Sequence, residues 1–214
     1  MINKLLQQIR QRYTIIPVET GNMAAFKAKG MKFTVEAYQA EGLGHVSVMR
    51  ASGFFGLMKM DTLIINPYNL ELPLYSYDRI YAAGNDTLIV ELYDTLSGDY
   101  NQNELLKVKE AYSSLPERDP GKHWYDDIKL PSSISKKGKR AQSSEFDEFT
   151  LRHFDAWMKG GGEAVNPVVK QEKAVNYVEG LLSHGGPSTD VFKKELGSQV
   201  TEKLFREILF GTSR

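Results

Sequence analysis

Between residues 31 and 92 the apolar side chains recur at every second position in short runs, and from about residue 100 onward they recur at helical spacing. That change of period constrains the fold more than any other feature. Strand side chains alternate between two faces, whereas helical ones return to the same face every three or four residues. Phe33, Val35 and Ala37 alternate with Lys32, Thr34 and Glu36, the pattern of a strand with one wet face. Strands are predicted at 14–18, 24–28, 31–39, 45–50 and 54–65, and the Leu63-Ile64-Ile65 end of the last reads as buried on both sides. The short links between them favour antiparallel neighbours.

The stretch 72–92 reads as a hairpin turning at Ala83-Gly84-Asn85-Asp86, where Gly and Asn supply positive φ. Its first strand carries an acid. Ser76, Asp78 and Ile80 share one face; Tyr75, Tyr77, Arg79 and Tyr81 share the other. A carboxylate in mid-strand beside Ile80 is either exposed at an edge or held in a pocket.

Helices are predicted at 1–13, 103–115, 145–158, from Asn166-Pro167 to about 183, at 189–196 and at 199–210. Residues 116–144 read as a long irregular segment holding Trp124, Tyr125 and a basic run at 136–140, which would attract an acidic partner by charge. Strands first and helices after imply an α+β fold with a mostly antiparallel sheet covered by helices, as one domain over residues 1–214.

Composition narrows the chemistry. Lys plus Arg and Asp plus Glu number 27 each, so bulk charge supports neither nucleic-acid nor membrane binding. The absence of Cys excludes disulfides, thiolate chemistry and cysteine-ligated iron–sulfur clusters within these residues, so electrons for any redox step come from another molecule. His45, His123, His153 and His184 lack metal-ligand spacing, and no phosphate-binding or dinucleotide-binding loop is present. No apolar run approaches membrane-spanning length, and a cytoplasmic location is expected.

Pro73-Leu74-Tyr75-Ser76-Tyr77-Asp78, preceded by Asn66-Pro67, resembles the proline, apolar, aromatic, two spacers, Asp pattern of the ferredoxin-dependent bilin reductases, whose superfamily includes the red chlorophyll catabolite reductases. The closing segments, around Gly197 and ending in Leu209-Phe210, resemble that family's last helix pair. The resemblance implies a three-layer α/β/α sandwich. It also implies reduction of a linear tetrapyrrole with electrons from external reduced ferredoxin, no bound cofactor, and Asp78 as proton donor or relay. The family's strand His aligns with Asp61 counting from Pro73, or with Thr62 counting from Pro67, and Asp61 is preferred. The family's earlier acid falls near Met49, with Ser47 and His45 on the same face. A further acid falls around Gly186, with Asp190 close by. Ser76 is a further expected ligand contact, and Arg50 and Arg79, with Lys59 as a third, are expected partners for ligand propionates. A non-catalytic binder of a flat hydrophobic ligand on the same scaffold is the alternative.

Overall fold

A computed structural model describes residues 1–213, the side chain of Pro187 excepted. Eight strands form one antiparallel sheet: β1 (Ile15–Val18), β2 (Ala25–Ala28), β3 (Met31–Ala40), β4 (Gly44–Gly53), β5 (Met58–Asn66), β6 (Leu74–Ala82), β7 (Asn85–Tyr93) and β8 (Ile134–Lys139). Their order is β1-β3-β4-β5-β6-β7-β8, with β2 also paired to β3. From β3 to β7 every neighbour in space is a neighbour in sequence, as short links require.

The helices are α1 (Ile2–Arg10), α2 (Asn103–Ala111), α3 (Ser143–Gly160), α4 (Pro167–His184), α5 (Pro187–Leu196) and α6 (Ser198–Lys203), which continues as a π-helical turn over Leu204–Leu209. Ile2, Leu5, Leu6 and Ile9 of α1 and Phe146, Phe149, Phe154 and Trp157 of α3 bury against Val48, Leu63, Tyr75, Tyr77 and Val90 on one face of the sheet. On the opposite face Tyr177, Val178 and Leu181 of α4, Phe192 of α5 and the C-terminal Phe205 and Ile208 bury against Phe33, Val35, Met49 and Ile64. Two apolar clusters on opposite faces make the α/β/α sandwich.

Local chemistry fixes the ends of these elements. Asn166 caps α4, its side chain accepting from Val168 N at 3.0 Å, with Pro167 in the first turn. The β6–β7 turn is shorter than the four residues expected: Ala82 pairs with Asn85, leaving Ala83 (φ 49°) and Gly84 (φ 75°) as a two-residue turn with both centres left-handed.

The segment 116–144 is less irregular than its sequence implies. Residues 134–139 form β8 on the edge of β7, and Lys136 is buried there, bonded to Leu115 O at 3.0 Å and to Glu117. The strand is masked in sequence because Lys136-Lys137-Gly138-Lys139 carries no apolar alternation. Lys136 is therefore withdrawn from any docking surface, although Lys137, Lys139 and Arg140 remain exposed.

Candidate functional site

A cavity of about 400 Å³ lies between the sheet and the α4–α6 layer. Its floor is the even-numbered face of β5 and β6: Met60, Thr62 and Ile64 from one, Ser76, Asp78 and Ile80 from the other. β7 adds Ile89, Glu91 and Tyr93, and β3 and β4 add Phe33 and Met49. Tyr177, Leu181, Phe192 and Phe205 roof it, and Arg118, His123 and Tyr125 close one side.

Asp78 is one of two acids that line this space, the other being Glu91. Thr62 stands directly opposite it on β5, and Thr62 Oγ1 donates to Asp78 Oδ1 at 2.5 Å. Burial among apolar walls pushes the carboxyl up to about 6; the Thr62 hydrogen bond opposes that rise, and the nearby Glu91 charge adds to it. An acid with a pKa near 6 holds a transferable proton close to neutral pH. Glu91 lies diagonally across from Asp78, since Ser76 pairs with Glu91 and Asp78 with Ile89. It accepts from Tyr93 Oη at 2.6 Å.

An aromatic wall backs the two acids. Tyr93 packs on Tyr177 at 4.2 Å and edge-on to Tyr125 at 5.6 Å, while His123 stacks on Tyr125 at 4.8 Å. Burial raises the phenols of Tyr93, Tyr125 and Tyr177, so all three stay protonated donors. Trp124 seats this segment on α4, its indole nitrogen donating to Gly185 O at 3.1 Å. A Cβ at Gly180 would meet the Trp124 ring at 2.1 Å, so only glycine admits this contact.

Other residues singled out in the sequence lie elsewhere. Asp61 pairs with Arg79 on the opposite face of the sheet, so the position across from Asp78 belongs to Thr62. Arg79 is buried away from the cavity, held by Asp86 through two bonds, the second from Nη2 to Oδ2 at 2.6 Å. Arg50 is engaged by Glu36 at 2.7 Å and Asn3 at 3.0 Å, and Lys59 is exposed on the Asp61 face. His45 and Ser47 do lie on the cavity side, yet their side chains bond Ile208 O and Leu209 O, each at 2.7 Å. With Asn66, which donates to Phe210 O at 3.0 Å, they satisfy the carbonyls left open where the last helix ends. Asp190 is exposed on α5 and does not line the cavity, unlike its neighbours Ser188 and Thr189.

Glu91, Arg118 and Tyr125 were not singled out by sequence reasoning. The signal for Glu91 was present: a two-residue turn at Ala83-Gly84 places it on the same face as Asp78. For Tyr125 the signal was only its place beside Trp124 in the long 116–144 segment, and Arg118, in irregular backbone of the same segment, had none. Among the described residues no group of His, Asp and Glu could hold a metal ion, and no helix is long and apolar enough to cross a membrane.

No family model matches the chain, and no curated protein matches its sequence. Its structure is similar to that of phytochromobilin synthase from tomato, solved in complex with biliverdin, with a TM-score of 0.77 at 13% identity over 99% of this chain and 82% of that one. The antiparallel sheet between two helical layers is thus the fold of a protein whose own structure holds a linear tetrapyrrole.

Proposed function

We propose that this chain binds a linear tetrapyrrole in the cavity above β5–β7 and reduces it, with Asp78 donating the proton. The observation that carries this reading is the Asp78 carboxyl, poised near neutrality on the floor of an apolar, aromatic-walled cavity of about 400 Å³. Pockets for ligands of this class measure roughly 300–1,000 Å³. The similarity to a biliverdin-bound fold and the Pro73–Asp78 pattern both point to a bilin.

Reducing one double bond of such a pigment takes up two electrons and two protons. The electrons come singly from an external donor, which we take to be reduced ferredoxin, and the conjugated pigment itself holds the unpaired electron between transfers. The chain binds, excludes water and supplies protons. Asp78 gives up one proton to the pigment radical, the resulting carboxylate keeps the Thr62 hydrogen bond, and its reprotonation from solvent between the two electron transfers supplies the second proton. Arg118, half-buried on the cavity wall, takes the role of propionate partner that Arg50 and Arg79 are too far away to fill.

The test is anaerobic incubation with biliverdin and a ferredoxin reducing system. Biliverdin absorption should shift on mixing and decay on reduction, and Asp78→Asn should keep the first change while slowing the second by about 100-fold or more. A spectrum unaltered by the protein would overturn the reading. One observation favours a second, non-catalytic reading: His45, Ser47 and Asp61 all fail to reach the cavity, leaving Asp78 and Glu91 as the only carboxylates among the described residues that line it. A stable shift without decay would support that binder.

A further inference from the structure

The link between β4 and β5 is an apolar finger. Phe54, Phe55 and Leu57 stand 55%, 109% and 71% exposed, so each shows more than half of an apolar side chain to solvent. The finger is also strained. Phe54 and Phe55 hold φ of 52° and 56°, a left-handed conformation that is an outlier for a bulky side chain. The left-handed backbone turns the chain between Gly53 and Met58, but nothing in that turn requires large apolar side chains.

Charge surrounds the finger. Lys27 pairs with Lys32, Lys32 with Ser52 and Ser52 with Lys59, so three exposed lysines line up on one face at the end of the sheet from which the finger projects. Lys29 lies in the β2–β3 turn at the same end. Across the finger, Asn85 pairs with Lys139 beside the β6–β7 turn, and Arg140 follows. The acids there are mostly engaged: Asp86 and Asp147 both pair with Arg79, Glu195 accepts from the Lys29 backbone at 2.9 Å, and Asp61 is half-buried one pair from Lys59. Lys27, Lys29, Lys32, Lys59, Lys139 and Arg140 thus flank the finger.

We infer that this end of the sheet docks on an anionic lipid bilayer, with Phe54, Phe55 and Leu57 entering the headgroup boundary and the surrounding lysines resting on acidic headgroups. A bilayer fits better than an acidic protein because the apolar part is a projecting tip. A protein interface of standard size buries about 800 Å² per partner around a packed centre. Interfacial attachment instead needs two modest signals acting together, an inserted apolar group and a basic patch. Met58, which follows the finger, and Lys29 both line the cavity, so the docked surface lies beside its mouth. Docking in this way brings the cavity to a bilayer that can deliver or receive a hydrophobic ligand, and it stands whether or not that ligand is a tetrapyrrole.

Flotation of the full chain with vesicles of phosphatidylcholine alone, or mixed with roughly one-third phosphatidylglycerol, tests this. Binding to the anionic vesicles should exceed binding to the neutral ones by about tenfold and fall in about 0.5 M salt. Phe54→Asn with Phe55→Asn should abolish it, and asparagine accepts the left-handed backbone, so the variant keeps its fold by circular dichroism. Leu57→Ser and, separately, Lys32→Glu with Lys59→Glu should each weaken binding. Equal partitioning to both vesicle types, or undiminished binding by the double Asn variant, would overturn the inference. Capture on immobilised polyglutamate without vesicle binding would do so too, assigning the surface to an acidic protein.

Discussion

Thr62 Oγ1 lies 2.5 Å from Asp78 Oδ1, directly across the β5–β6 pair, and is the hydrogen-bond donor that steadies this acid's charged form against burial. Thr62→Val keeps the shape and removes the donor. The Asp78 pKa should then rise further above 6, and the alkaline arm of the pH profile for the proposed bilin reduction should move to higher pH. An unmoved profile would mean that another group sets that arm.

Glu91→Gln should act in the opposite direction. Its negative charge helps hold Asp78 protonated, so removing it lowers the Asp78 pKa and moves the same arm to lower pH. Carbon-13 NMR titration of the Asp78 carboxyl in both variants reads the two shifts without relying on turnover.

The same burial makes stability depend on pH. Asp78 titrates at about 6 in the folded chain against an ordinary 3.8, so the stability it contributes is complete below about pH 4 and is lost as pH rises through 6. The difference amounts to about 3 kcal/mol at most. Asp78→Asn, which carries no charge to bury, should therefore melt above the parent at pH 7. A large fall in Tm would instead make Asp78 a structural acid.

His153 works against it. Buried beneath Tyr75 and Phe149, with Nε2 donating to Ser132 O at 3.0 Å, it is pushed down to about 4 by burial. Its stabilisation is present above about pH 6.5 and is lost as pH falls toward 4, again about 3 kcal/mol. In the parent the two effects nearly cancel between pH 4 and 6.5. Asp78→Asn should expose the His153 acid loss as a steep fall in urea midpoint across that window, and His153→Phe should expose the opposite slope.

Arg79 and Asp86 form a fully buried pair on the far side of the sheet. Asp86→Ala removes the buried partner of this guanidinium, leaving it only Ser143 O at 3.2 Å and the more exposed Asp147 at 3.5 Å, and should cost about 3 kcal/mol, whereas replacing both with Met and Leu should cost much less. Chemical denaturation of the single and double variants checks this.

Much of this fold was legible because its strands and helices announce their own periods. The face shared by Ser76, Asp78 and Ile80 follows from alternation alone, and the amphipathic spacing of α1, α3 and α4 follows from which residues they bury. What the sequence hides is anything that depends on partners distant along the chain. β8 has no apolar alternation because Lys136 is satisfied by Leu115 O and Glu117, contacts that exist only after folding. His45 and Ser47 look like site residues until the last helix arrives to occupy them. Counting from Pro73 chose Asp61 over Thr62 by one residue, and in a strand one residue is the difference between the two faces.

Asp78 and Arg79 are consecutive, so they point to opposite sides of β6. Were the strand to slip by a single step, the guanidinium would be thrust into the greasy chamber and the carboxylate marooned against Phe146, whose ring now lies 5.1 Å from that cation. Both misplacements are ruinous, so the arginine acts as a proofreader of strand alignment. A residue that never meets a ligand thereby guarantees which side of the sheet its neighbouring acid will serve.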